Sequence, residues 1–421
     1  MASNSKRLAA IAFALASLGA CTTVPRSAGA DRWLLTGTQL YVAPDQPPLA
    51  NAWLVVNGGK IEAVGTAAPP AGIRNEAACT GGVIAAGFQN SHVHFVDDKF
   101  GGAATRAAGE LEQGLTQMLT RFGYTTVVDT GSMLADTAAL RQRIASGDVR
   151  GPRILTAGSP LYPHQGIPVY LKDLPPEILR QLAQPATAEA AVAHIRANIA
   201  AGADGTKLFV ASPMGRGEIR RMDPQIARAS AEETHRLGGL VMVHPTDPEG
   251  IRAAVAAGAD IIVHTTIDPP GSAWSPQLVS EMVARKVSVV PTLQLWRYEL
   301  DKARVPGEVR ERIVALAERQ LKAFADAGGQ VLFGTDVGYM TEFDPASEYT
   351  LMARAGLTPM QILASLTTAP AARWRQEALR GRLQPGMAAD LVVLNGDPAV
   401  DVKRFGDVKC TIASGRLIFQ Q

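Results

Sequence analysis

The chain has 421 residues, 47% of them hydrophobic and 19% charged, with a formal net charge of +2. That length suits two modules around a full-sized core, and so small a charge, with no basic block, excludes nucleic acid as the expected partner. No stretch after residue 21 is long and apolar enough to span a bilayer, which takes about 20 residues.

Residues 1–21 read as an export signal, with Lys6 and Arg7 ahead of an apolar run, Leu8 to Ala20, too short for a membrane span. The run ends Leu18-Gly-Ala-Cys21, which resembles a bacterial lipobox. That resemblance implies a lipidated Cys21 whose several acyl chains hold the protein firmly at a membrane. Thr22 at the following position favours the periplasmic side of the outer membrane. The alternative is cleavage near Ala28-Gly-Ala30, releasing a soluble periplasmic protein.

Residues 31–82 alternate in the manner of short strands, among them Trp33-Leu-Leu-Thr-Gly37, and Asn57-Gly58 is a hairpin signal. Residues 83–382 then alternate strands with helices. The first strand runs through Ala86-Gly-Phe-Gln-Asn-Ser-His-Val-His-Phe95, ending an apolar run that begins at Gly82. Helices are expected near Glu110–Phe122, Asp136–Ala145, 188–201, 224–237, 248–257, 276–285 and 308–327. Strands are expected at 125–130, 153–157, 206–210, 240–244, 261–265, 287–293 and 330–335, which makes eight with the first. The Pro-rich stretch from Ser159 to Pro185 is too long for an ordinary connection and reads as a rim loop or surface elaboration. Residues 383–421 return to the character of the N-terminal strands, with Asp390-Leu-Val-Val-Leu394 and Val408 to Phe419.

On a strand, residues two apart point to one side, so His92 and His94 aim together as half of a transition-metal site. A lone His-x-His is weak, because paired histidines can simply be hydrogen-bonded. Here His244, His264 and Asp336 also close short apolar strands. In a parallel barrel those strand ends share the rim where active sites are built.

The order His92-x-His94, Lys207 within Asp204-Gly-Thr-Lys-Leu-Phe209, His244, His264 and Gly334-Thr-Asp336 resembles the metal-dependent amidohydrolase superfamily. More narrowly it is similar to the imidazolonepropionase-like and Xaa-Pro dipeptidase-like members, from about residue 31 to the C-terminus. The resemblance implies an α/β fold, a (β/α)8 TIM-like barrel, beside a small β-sandwich built discontinuously from residues 31–82 and 383–421. Cys79 and Cys410 then fall one in each half of the sandwich. Export permits a disulfide between them, and two buried free thiols are the alternative.

Lysine is the odd member of the set, since an ammonium has no lone pair and its ordinary pKa is roughly 10.4. The superfamily's solution is a carboxylated lysine, whose carbamate bridges two metals. The resemblance thus implies His92, His94, Lys207 and Asp336 around one divalent ion, and Lys207, His244 and His264 around another. Imidazole and carboxylate ligands suit zinc. A hydroxide bridging the two ions would be the nucleophile, and Asp336 would move its proton to the leaving nitrogen. Capping the following helix is the alternative role for Asp336.

His164, in Tyr162-Pro-His-Gln-Gly166, is a candidate oxyanion donor, with Tyr162 beside it; a solvated loop histidine is the alternative. For substrate binding, Arg216, Arg220, Arg221, Trp274, Trp296, Arg297 and Tyr298 lie in rim loops, with Arg297 the leading choice for a carboxylate. The runs His244-Pro-Thr-Asp and Val263-His-Thr, and Gln89-Asn90 before the first histidine pair, depart from the dipeptidase pattern without removing a ligand. The expectation is an exported hydrolase cleaving the amide bond of a small peptide or N-acyl amino acid. The same machinery could act on a cyclic amide, lactone or phosphoester, and a silent envelope-binding lipoprotein is the reading of another class. The oligomeric state is left open, a homo-oligomer included.

Overall fold

The computed structural model describes residues 32–215, 217–267 and 273–421. The expected export segment with Cys21, and Arg216, lie outside the described residues. The N-terminal strands are β1 (Arg32–Leu40), β2 (Leu49–Asn57), β3 (Lys60–Gly65), β4 (Arg74–Asn75) and β5 (Val83–Ala86). Gly58 and Gly59, both at positive φ, make the tight turn between β2 and β3.

Eight parallel strands follow, interleaved with helices: β6 (Phe88–Val93), β7 (Tyr124–Asp129), β8 (Arg153–Thr156) and β9 (Gly205–Phe209) come first. After a side hairpin, β10 (Ala211–Gly215) with β11 (Glu218–Arg221), come β12 (Leu240–His244), β13 (Ile261–Val263), β14 (Ser288–Val290) and β15 (Gln330–Val331). The C-terminal strands are β16 (Leu391–Leu394), β17 (Val408–Ala413) and β18 (Arg416–Gln420).

The two ends of the chain meet in one sheet, in the order β18-β17-β16-β5-β1-β2-β3 with β4 on β1. It is a single hydrogen-bonded sheet of eight strands, not the two separately bonded layers that the expected sandwich implies. Trp33, Leu35, Leu54, Ile84, Leu391, Val393 and Ile412 pack together in an apolar cluster of its own. Within that cluster Cys79 and Cys410 are bonded as a disulfide across a sequence separation of 331.

The run read as one strand from Gly82 to Phe95 is two. A Cβ at Gly87 would lie 2.3 Å from the Thr125 hydroxyl, so glycine lets the chain step from β5 in the terminal sheet to β6 beside β7. The residues expected as the end of a strand, 291–293, also differ. Thr292 adopts φ 44, ends β14 and opens the helix Leu293–Lys302.

The eight parallel strands pair as two arcs, β6-β7-β8 and β9-β12-β13-β14-β15. The ladders do not form the closed barrel that was expected, because the chain at both seams has left regular extended geometry. Backbone hydrogen bonds nevertheless cross each seam: Leu161 N to Lys207 O at 3.0 Å on one side, and Ser91 N to Phe333 O at 2.7 Å and Asp336 N to His92 O at 2.9 Å on the other. Alternate residues of the arcs feed two cores, as in buried parallel sheets. Leu240, Met242, Ile261, Val263 and Val290 pack with one another, whereas Val241, Val243, Ile262 and Val289 pack with the surrounding helices. No described helix is long and apolar enough to cross a membrane.

Candidate metal centre

The side chains at the downstream strand ends converge. His92, near the end of β6, and His94, just beyond it, place their rings edge to face at 5.0 Å. His264 lies 4.9 Å from the His92 ring and 5.0 Å from the His244 ring, so the four imidazoles form one contiguous chain. Simple alternation after Ile261 and Val263 would turn His264 toward the helices. Its φ of 80 breaks the strand there and re-aims the ring inward. Asp336 also sits at positive φ, 64, one residue beyond Gly334-Thr335. Such backbone strain is held only where the surroundings over-determine it.

Asp336 Oδ1 lies 3.0 Å from His92 Nε2 and 3.0 Å from His94 Nε2. By geometry this buried oxygen accepts no other hydrogen bond among the described residues. His94 Nδ1 donates to the Gly131 carbonyl at 2.8 Å, so Nε2 is the ring atom turned to Asp336, carrying a lone pair in the neutral ring and a proton in the imidazolium. The hydroxyl of Thr292 donates to Pro291 O at 2.9 Å and so accepts from His264 Nδ1 at 2.7 Å, fixing the same tautomer there. With His94 neutral, lone pairs on carboxylate and imidazole face one another across 3.0 Å, an arrangement relieved by a shared cation, whether a proton or a metal ion. His264 places a third donor within 4.8 Å of His92 and Asp336. The residues fit a divalent ion.

Burial sets the protonation of the rest. It pushes His92 and His244 down to about 3 and His264 well below the ordinary imidazole range, leaving neutral ligands. Burial opposes ionisation of Asp336, but the His92 and His94 imidazoles outweigh it and hold the carboxyl well below its usual range. For His94, burial is outweighed by Asp336 and Asp129, which raise it. Lys207, 1% exposed, is lowered to about 7 by burial, against the pull of Asp336. Its ammonium lies 5.7 Å from the Phe209 ring. Phe209 stacks on His244 at 4.6 Å, its cross-strand partner, and on Tyr162 at 4.6 Å.

The chain matches the Amidohydrolase family over residues 83–418. It belongs to the amidohydrolase family. Ochratoxinase from Aspergillus niger is 26% identical over 411 residues, covering 88% of this chain and 82% of that protein. A Xaa-Pro dipeptidase crystallised with methionine in its active site superposes with a TM-score of 0.78 at 21% identity, over 93% of this chain and all of that one. A prolidase in complex with N-methylphosphonate-L-proline gives 0.75 at 25% identity, over 93% of this chain and 100% of that one. As an amidohydrolase the protein is an enzyme acting on carbon–nitrogen bonds, in a metal-dependent family.

In this amidohydrolase the six ligand candidates gather at one end of the strands. Ligand atoms of His92, His264 and Asp336 lie within 4.8 Å of one another. Tyr162 is buried against the site through Phe209. The rim stretch also brings Tyr170, exposed at its edge, whose ring meets that of Tyr339 at 5.6 Å. His164 is exposed, with Nδ1 3.3 Å from the Gln184 carbonyl, and does not join the imidazole chain, because its loop turns it to solvent. Arg297 pairs at 3.8 Å with Glu311 on the neighbouring helix Gly307–Asp326, so its guanidinium is already engaged. Tyr298 is half-buried, its hydroxyl 3.4 Å from that of Thr341. Arg221 is bound to Asp247 at 2.6 Å. Sequence reading missed Thr130, whose hydroxyl lies 2.9 Å from His92 Nδ1, as well as Gly131 and Thr292. The one signal was that each lies at the downstream end of a strand.

Proposed function

We propose that this amidohydrolase cleaves the amide bond joining an acyl group or residue to an amino acid, in a small peptide or N-acyl amino acid, with two divalent ions in the imidazole cluster. The observation that carries the reading is the convergence of buried His92, His264 and Asp336, whose ligand atoms lie within 4.8 Å of one another, with the His94 and His244 rings packed against them. Four imidazoles, a carboxylate and a lysine are more donors than one tetrahedral ion takes, which supports two. Zinc suits this donor set. Lys207, lowered to about 7, is an amine able to take up CO2 near neutral pH, so we assign it as the carbamate bridge.

When bound, the ions supply the charge that acidifies a water and polarises the substrate carbonyl. His92, His94, His244 and His264 hold them as neutral ligands. Asp336, ionised, accepts the proton of the attacking water on its carboxylate and passes it to the leaving nitrogen. The stacked Tyr162 and Phe209 rings line the approach and suit an apolar body. Two relatives carry a free amino acid or a proline derivative, which supports an amino-acid leaving group. By the same reading the lipobox-like Leu18-Gly-Ala-Cys21 sends the chain to the periplasmic side of the outer membrane. Acyl labelling of the full chain that persists in Cys21→Ala would remove the anchor.

The test is elemental analysis of protein from residue 22 onward, prepared with bicarbonate, with turnover of dipeptides and N-acyl amino acids. About two ions per chain are expected, falling sharply in Lys207→Ala. Turnover is lost in Asp336→Asn with the metal largely retained. One ion per chain in both wild type and Lys207→Ala would overturn the bridge.

A further inference from the structure

Beyond β7 the chain turns through Thr130-Gly131-Ser132, and this turn lies along the stretch that carries His92 and His94. Thr130 N donates to Val93 O at 3.1 Å, and the Thr130 hydroxyl lies 2.9 Å from His92 Nδ1. Gly131 O accepts from His94 Nδ1 at 2.8 Å, and Ser132 Oγ accepts from Phe95 N at 2.8 Å. The turn thus touches each residue from 92 to 95. Whatever shapes it aims two candidate metal ligands at once.

Asp129, the last residue of β7 and fully buried, shapes it. Its Oδ1 accepts from Gly131 N at 3.2 Å, in the manner of an Asx turn, and from the Ser132 hydroxyl at 2.6 Å. Its Oδ2 accepts from the Thr156 hydroxyl at 2.8 Å. Ser132 Oγ already accepts from Phe95 N, and Thr156 Oγ from Gly158 N at 3.0 Å, so each hydroxyl has its own proton free for the carboxylate. Three donors and no acceptor suit an anion. Burial opposes that charge, while Ser132 and then the His94 ring favour it. No lysine or arginine pairs with Asp129 among the described residues, and a buried charge without a counter-charge is costly. A cation on His94, joined to Asp129 through the Gly131 peptide, relieves it.

We propose that Asp129 is a positioning residue of the metal centre. Through the 130–132 turn it fixes the Nδ1–H of His94 and the end of the stretch that carries both histidines, and its buried charge balances that of the ion. The inference rests on His94 holding an ion, not on how many ions there are or which amide is cleaved.

Zinc titration of the stripped protein against a chromophoric chelator tests it. Asp129→Asn keeps the size and an acceptor for Gly131 and Ser132 but removes the charge, and should bind zinc at least about tenfold more weakly. The visible bands of cobalt bound in place of zinc should shift as the His94 donor changes, which a residue serving the fold alone would not cause. Ser132→Ala keeps the charge but unties it from Phe95 N, and should weaken zinc about threefold or more. Zinc affinity of Asp129→Asn within about twofold of wild type, with unmoved cobalt bands, overturns this inference alone. Should Asp129→Asn fail to fold, Ser132→Ala within about twofold of wild type does the same. Wild-type protein that binds no zinc overturns this inference and the metal reading together.

Discussion

Replacing Thr292 by valine should loosen the metal centre without touching a ligand. The Thr292 hydroxyl is fully buried and donates to Pro291 O, so it can only accept from His264 Nδ1–H at 2.7 Å. Valine keeps the size and the branching, and both side chains meet the same constraint at φ 44. What is lost is the acceptor. His264 must then bury an unpaired Nδ1–H, at about 1–2 kcal/mol, or move its proton to the nitrogen that should hold the ion. Either way affinity falls, by roughly ten- to thirtyfold on the scale of such supporting contacts. Zinc titration of the stripped protein against a chromophoric chelator measures this directly. Thr292→Ser, which restores the hydroxyl, should recover most of the loss. Valine and wild-type affinities within about twofold of each other, or serine as weak as valine, would refute the tautomer reasoning.

Two further outcomes follow from buried groups. Glu348 is fully buried and raised from 4.5 to about 7 by burial, partly offset by the Gln294 and Leu293 amides at the start of the helix Leu293–Lys302. A raised carboxyl favours the folded state below about 4.5 and loses that contribution as pH rises to about 7, so Glu348→Gln should gain on wild type by roughly 3 kcal/mol between pH 5 and 8; urea midpoints that shift equally at both pH values would contradict this. Reducing the Cys79–Cys410 disulfide should cost about 2–4 kcal/mol, read as a lower melting temperature in dithiothreitol that Cys79→Ala abolishes as a difference.

The candidate ligands were legible because period-two alternation and strand ends are written in the sequence. His92 with His94 needs only the geometry of one strand, and His244 and Asp336 close apolar runs. The strand character of both termini was readable, but that they meet came only from the family resemblance, and their pairing in one sheet was not foreseen. Other features were hidden because they depend on partners far along the chain. Nothing local marks Thr130 or Thr292 as imidazole supports, since any threonine at a strand end looks alike. Arg297 reads as free until the next helix presents Glu311. The break at Gly87 is silent, because an apolar run continues on both sides and only Thr125, from the neighbouring strand, forbids a side chain there.

The mixed ancestry of the terminal sheet has a temporal side. β5 lies between β1, made early, and β16, made about three hundred residues later. At a synthesis rate of roughly 5–20 residues per second, the apolar edge Val83-Ile84-Ala85-Ala86 waits on the order of tens of seconds for its neighbour. Until then it is an open strand edge of the kind that recruits other chains. The meander of β1, β2 and β3 can form at once, but its seal is made about three hundred residues later. Quality control during biogenesis, more than the stability of the finished molecule, is therefore where a fault in β16 or β17 would first be felt.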